Sequence, residues 1–182
     1  MQPQRAPISR DELPQDLLAR HAADILRSPG MDVERRCIQH GDTTVFQHSV
    51  AVTLRCVAIA QALAVPVSER DLVRGALLHD YFLYDWHVPD PSHRLHGFRH
   101  PFFARMNAER DFGLTPIQRD MVVHHMFPLV PAPPHCREAW ILTLADKCVA
   151  SHETAHGFAL KASRLAGWVG NKVGLAGSGD RA

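Results

Sequence analysis

A chain of 182 residues, 46% hydrophobic and 21% charged, suits one domain with a sizeable core and is short for two. Its formal net charge of +1 gives no global pull toward nucleic acid or an anionic membrane. The apolar segments fall well short of the roughly 20 residues that span a bilayer. The opening "MQPQRAPISRDELPQD" lacks the basic-then-apolar layout of a secretory signal.

Cys37, Cys56, Cys136 and Cys148 show no CxxC spacing, which argues against a zinc ribbon or a disulfide scaffold. Cys56 and Cys148 lie in apolar helical patterns and are expected as reduced core residues. The composition therefore leads to the expectation of a cytoplasmic protein. The unusual feature is the histidine count, 13, and the placement of those histidines matters more than their number.

In chain order, "DELPQDLLARHAADILRS" puts Leu17, Leu18, Ala22, Ile25 and Leu26 on one helical stripe, stopped by Pro29-Gly30. "DTTVFQHSVAVTLRCVAIAQALAV" carries the longest apolar helix, with Thr43 or Thr44 as N-cap and Pro66 at or beyond its end. Ser68 caps the next helix, "ERDLVRGALLHDYFL", which has acidic residues in its first turn. Residues 84–98, "YDWHVPDPSHRLHGF", read as loop. "RHPFFARMNAERDF" is helical, with Pro101 near its first turn and Gly113 closing it. Thr115-Pro116 opens "TPIQRDMVVHHMF", and the proline-rich "PLVPAPPHC" leads to a last long helix from Arg137, broken near Gly157. Strand-like alternation is almost absent. The expected fold is an all-α, single-domain bundle of about six or seven helices. Residues 1–30 form a lead and N-terminal helix, 31–156 the main body, and 157–182 a C-terminal helix and flexible tail.

Several polar residues sit inside these apolar helices. They are His48 in the long helix, His79 and Asp80 after "GALL", His100, the pair His124-His125, and Asp146 inside "WILTLADKCVA". Each has a plain structural explanation on its own. His48 could be a satisfied core histidine, His124-His125 a cation pair at a helix C-terminus, and Asp146 a partner of Arg55 or Arg74. Together they point to metal, because imidazole and carboxylate ligate borderline divalent ions and helical bundles build such sites from facing helices.

The ordered set His, His-Asp, His, His-His, Asp, running from about Val45 to Ala150, resembles the HD-domain superfamily of metal-dependent phosphohydrolases. The resemblance implies a bundle of the HD-domain type, with His48, His79, Asp80 and Asp146 as metal ligands. His100 and His124 or His125 match the extra histidines of two-metal branches, which include bacterial diadenosine tetraphosphate hydrolases and HD-GYP cyclic-di-nucleotide phosphodiesterases. The lysine often found after the HD pair is missing, and "MFPL" stands where Gly-Tyr-Pro would follow His124-His125. Both departures weigh against cyclic-di-nucleotide cleavage.

The resemblance implies one or two ions of Fe, Mn, Co, Ni or Zn, with Asp80 bridging. One ion would take His48, His79, Asp80 and Asp146, and the other Asp80, His100, His124 and His125. Two such ions, roughly 3.5–4 Å apart, share a hydroxide that attacks phosphorus. Asp80 and Lys147 are the catalytic candidates. Arg55 and Arg99 are candidate phosphate contacts, and Trp86 a stacking surface for a planar group. His40, His87, His93 and His96 are candidate proton donors to the leaving group. The expected partner is a small phosphorylated substrate such as a nucleotide or dinucleotide polyphosphate, with no nucleic acid or membrane partner; the oligomeric state is left open. The rival readings are an HD-fold di-iron oxygenase and a non-catalytic nucleotide-binding regulator.

Overall fold

The computed structural model describes residues 4–155. The first helix, α1 (Pro14–Leu26), buries Leu17, Leu18, Ala22 and Ile25. A short α2 (Pro29–Glu34) follows, capped by the Ser28 side chain. Gly30 on α2 faces Tyr81 so closely that a Cβ there would collide with the phenol. Two short strands, β1 (Ile38–His40) and β2 (Thr43–Thr44), then pair antiparallel about Gly41, whose φ is 58°. This hairpin has too few residues to show a period-two signal, so it was not expected from the sequence.

The long helix α3 (Val45–Leu63) starts at Thr44 with a full capping box closed by Gln47. α4 (Glu69–Leu77) starts at Ser68, and its C-cap is Leu78. His79 and Asp80 therefore sit one and two residues beyond a helix end, in a turn that aims both side chains inward. The loop that follows contains a 3-10 turn at Pro91–His93 and leads into α5 (His96–Phe112). α5 begins four residues before His100, so Pro101 lies inside the helix. Leu83 (φ 63°) and Leu95 (φ 59°) both take the left-handed region, at a cost of about 1–3 kcal/mol each. α6 (Pro116–His124) opens with a second capping box, Thr115 with Gln118. The last described helix, α7, covers residues 137–155. The expected break near Gly157 and the region 157–182 lie outside the described residues.

The main apolar cluster is fed by Leu17 and Ile25 of α1, Val52 and Val57 of α3, Leu72 and Leu77 of α4, Met121 of α6 and Leu142 of α7, and a smaller one gathers Cys37, Val45 and Phe82. Fully burying one such side chain stabilises the fold by about 1.5–3 kcal/mol. Gly75 lets α4 approach α6 closely, since a Cβ there would stand 2.5 Å from Met121 Sδ. Buried Asp71 locks the same two helices together, accepting from Thr115 Oγ1 (2.9 Å) and Gln118 Nε2 (2.7 Å). The far ends of α4 and α6 carry Asp80 and His125, so this packing sets the site. The architecture is all-α apart from the hairpin, as expected. Cys56 is buried, but Cys148 is exposed. On α7 the inward stripe is Leu142, Ala145 and Val149, while position 148 shares the outer face with Trp140 and Leu144. Among the described residues, no helix is long and apolar enough to cross a membrane.

Candidate metal centre

Three helix ends, one turn and the middle of α7 bring His48, His79, Asp80, His100, His125 and Asp146 together, each less than one-tenth exposed. In each of the four histidines Nδ1 is engaged away from the centre. His79 Nδ1 lies 2.8 Å from the Ala76 carbonyl, His100 Nδ1 3.0 Å from that of His96, and His125 Nδ1 2.9 Å from that of Val122. A carbonyl oxygen only accepts, so these three rings carry their proton on Nδ1. His48 Nδ1 donates likewise to Glu153 Oε2 at 2.9 Å. A ring held this way directs Nε2 at the centre, where it offers a lone pair once the ring is neutral, and that outer acceptor is how metal-binding histidines are oriented.

All four Nε2 atoms converge on two carboxylates. Asp80 Oδ2 lies 3.4 Å from His79 Nε2 and 3.9 Å from His48 Nε2, and Asp80 Oδ1 lies 3.2 Å from His100 Nε2 and 3.5 Å from His125 Nε2. Asp146 Oδ1 stands 3.1 Å from His48 Nε2 and 3.8 Å from His79 Nε2. Two potential ligand groups result, His48-His79-Asp80 and Asp80-His100-His125, with Asp80 common to both. Two local features fit a cation. His100 Nε2 and His125 Nε2 face each other at 2.9 Å, lone pair to lone pair. His79 Nε2 and Asp80 Oδ1, in the two halves of the cluster, are each buried without a hydrogen-bond partner, a costly state that a cation beside each would relieve.

The electrostatics follow the geometry. Burial works against charge on His48, but hydrogen bonds to Asp146 and Glu153 outweigh it and push that imidazole up to about 10. Burial likewise opposes the Asp80 carboxylate, yet His79, His100 and His125 hold it well below the usual carboxylate range. Burial lowers His125, keeping it neutral. Asp146 is held low by His48 and His79 against its own burial.

Asp80, His100, His125 and Asp146 of the cluster line a cavity of about 860 Å³. Trp86, Met126, Pro128 and Leu129 supply apolar lining to it, and His40, His96 and Lys147 polar lining. Lys147 Nζ donates to the His125 carbonyl at 3.1 Å, which fixes the ammonium beside the cluster. A second cavity, of about 880 Å³ and lined by Arg5, His21 and Glu69 among others, is remote from these ligands.

Other candidates fall elsewhere. His124 turns away from the cluster and lies 2.7 Å from Asp120 Oδ1. Successive helical residues point about 100° apart, so an adjacent pair cannot send both imidazoles to one centre. Arg55 is exposed on α3, and Arg99 is exposed with its guanidinium over the Phe103 ring at 5.2 Å; neither lines the cavity. Arg74 pairs with Asp24 at 2.7 and 2.9 Å rather than with Asp146. Trp86 lines the cavity, but its indole stacks parallel to His96 (5.1 Å, 8°) and against His87 (3.9 Å, 31°). Those contacts make it a wall rather than a free stacking face. His93 stacks on Tyr84 at 4.2 Å, and His87 sits 3.1 Å from Asp85. Burial and His100 push His96 down to about 4, which disfavours an imidazolium there. His40 lines the cavity and is lowered by burial and His48.

Three residues at the site were not anticipated from the sequence. Glu153 orients His48, and Gln39 Nε2 donates to Asp80 Oδ2 at 2.7 Å. Glu34 is buried with both carboxyl oxygens unpartnered, and burial together with the Asp80 charge pushes it well above the usual range. Glu153 lies seven residues after Asp146, two turns along the same helix face, and that spacing was a usable signal. A model of the HD domain family matches residues 45–151, a span that contains all six converging ligands. No curated protein and no solved structure matches the chain.

Proposed function

The chain belongs to the HD-domain family of metal-dependent hydrolases, and from that premise we propose that it is a phosphohydrolase acting on a nucleotide or dinucleotide polyphosphate. The observation that carries the proposal is the convergence of four Nε2 atoms on two carboxylates, with Asp80, His100, His125 and Asp146 of that cluster lining an 860 Å³ cavity. His48, His79 and Asp146 on one side and His100 and His125 on the other, with Asp80 between, would hold divalent ions, which would supply Lewis acidity toward phosphoryl oxygens and a water of lowered pKa.

The chain's own groups do the rest. Gln39 fixes the Asp80 carboxylate so that each oxygen faces one half of the cluster. Lys147 meets the phosphate charge at the cavity wall, as a point charge rather than a bidentate fork. The apolar lining of Trp86, Met126, Pro128 and Leu129 excludes water and accommodates the group that carries the phosphate. A bare sugar phosphate would leave that wall uncovered.

The test is phosphate release by the metal-loaded protein from a nucleoside triphosphate, a dinucleoside polyphosphate and glucose 6-phosphate. The expected preference for the nucleotides is about tenfold in kcat/KM, the effect of burying roughly 55 Å² of the base against the apolar wall. No phosphate release from any of them by fully metallated protein would overturn the hydrolase reading. Equal turnover would overturn the substrate class. Turnover that requires dioxygen would instead favour the di-iron oxygenase reading.

A further inference from the structure

His124, displaced from the central cluster, belongs to a second group of metal-ligating side chains. Asp120 and His124 stand four residues apart on α6, and His135 comes from the proline-rich connection to α7. Asp120 Oδ2 accepts from the backbone N–H groups of His135 (3.0 Å) and Cys136 (2.9 Å), which orients the carboxylate at the start of α7. Its other oxygen, Oδ1, is met by His124 Nδ1 at 2.7 Å and His135 Nδ1 at 2.8 Å. One carboxylate oxygen and two imidazole nitrogens thus converge where solvent has access, the His135 side chain being 71% exposed.

We propose that Asp120, His124 and His135 form an outer binding site for one borderline divalent cation such as zinc, separate from the central cluster. Two nitrogens and an oxygen are a ligand set that such ions take, and the exposed side leaves room for water to complete the shell. Without the ion, both rings donate from Nδ1 to Oδ1. Moving each proton from Nδ1 to Nε2 keeps the ring neutral and turns both Nδ1 atoms into lone pairs facing Oδ1. Metal–ligand distances of about 2.0–2.1 Å require these atoms to part by roughly half an ångström, which the exposed His135 permits. The Cys136 side chain does not belong to the converging group, whose members are Asp120, His124 and His135. The ion would clip the end of α6, one residue before His125, to the start of α7, which carries Asp146. This inference is independent of the phosphohydrolase reading.

The experiment is zinc titration of the metal-stripped full chain, by calorimetry with elemental analysis of the dialysed protein. Four proteins are compared: the unaltered chain, His124→Ala/His135→Ala, Asp80→Ala, and the three substitutions combined. The double substitution is expected to remove one zinc per chain, or weaken that site at least tenfold, in both backgrounds. An unchanged stoichiometry and affinity means the group is only a hydrogen-bonded staple, and overturns the proposal. So does a loss seen with Asp80 intact but not in the Asp80→Ala background, which would trace to the central cluster. If far-UV circular dichroism shows that the double variant misfolds, His135→Ala alone, on an exposed loop, gives the same reading.

Discussion

Glu153→Ala isolates the orientation of His48 from its ligation. In the structure the His48 ring is fully buried, its Nδ1 donates to Glu153 at 2.9 Å, and its Nε2 lies 3.1 Å from Asp146. Removing Glu153 leaves a buried N–H without its acceptor, which costs about 1–3 kcal/mol. The ring can avoid that cost by turning or by moving its proton to Nε2, and either response withdraws the lone pair from the centre. Loss of such an outer partner weakens metal binding about 10–100-fold, equivalent to roughly 1.4–2.7 kcal/mol. The assay is competitive metal titration followed by turnover at rising metal concentration. Because Glu153 acts through His48, most of kcat should return at saturating metal, and Glu153→Gln, which keeps an acceptor oxygen, should stay within about threefold of the unaltered protein. An unchanged metal affinity in Glu153→Ala, or an activity loss that excess metal does not rescue, would refute this account of His48.

Metal affinity should fall with falling pH, because His48, raised to about 10, must give up its proton to bind metal. In the metal-free protein the stability from charged His48 is present below its unfolded pKa of about 6.5 and lost as pH rises through about 10. Urea unfolding of stripped protein between pH 6 and 10 checks the sign, and a stability that rose across that window would contradict it. Lys147→Ala should raise KM for a nucleoside triphosphate about tenfold while metal content is unchanged, the effect of one charge-assisted contact to phosphate. Metal lost along with affinity would instead assign Lys147 to holding His125.

Legibility followed the length of the signal. Ser68 and Thr115 are readable as caps and do cap helices, and of the two candidates Thr43 and Thr44 it is Thr44 that caps α3. His48, His79, Asp80, His100 and Asp146 stood out because a polar residue inside an apolar helix needs a partner, and the structure brings those five together with His125. His124 lies apart from the cluster, and composition cannot say which of two adjacent imidazoles faces inward; only the helix phase decides. Arg55 and Arg99 lie outside the cavity lining for a related reason, since a guanidinium's sign says nothing about its direction, and both are exposed. Gln39 and Glu34 come from a three-residue strand and a six-residue helix, too short to leave a period; Gln39 reaches Asp80 only through the tertiary fold, and Glu34 feels the Asp80 charge without a hydrogen bond to it.

The central claim is that one carboxylate, Asp80, is shared by the two halves of a metal centre. Electron paramagnetic resonance of the manganese-loaded full chain tests it directly, because two ions bridged by a carboxylate couple magnetically and a lone ion does not. The account predicts a spin-coupled pair signal that disappears in Asp80→Ala while the helical circular dichroism persists. Only isolated six-line manganese spectra from the unaltered protein, or a coupled signal that survives Asp80→Ala, would contradict it.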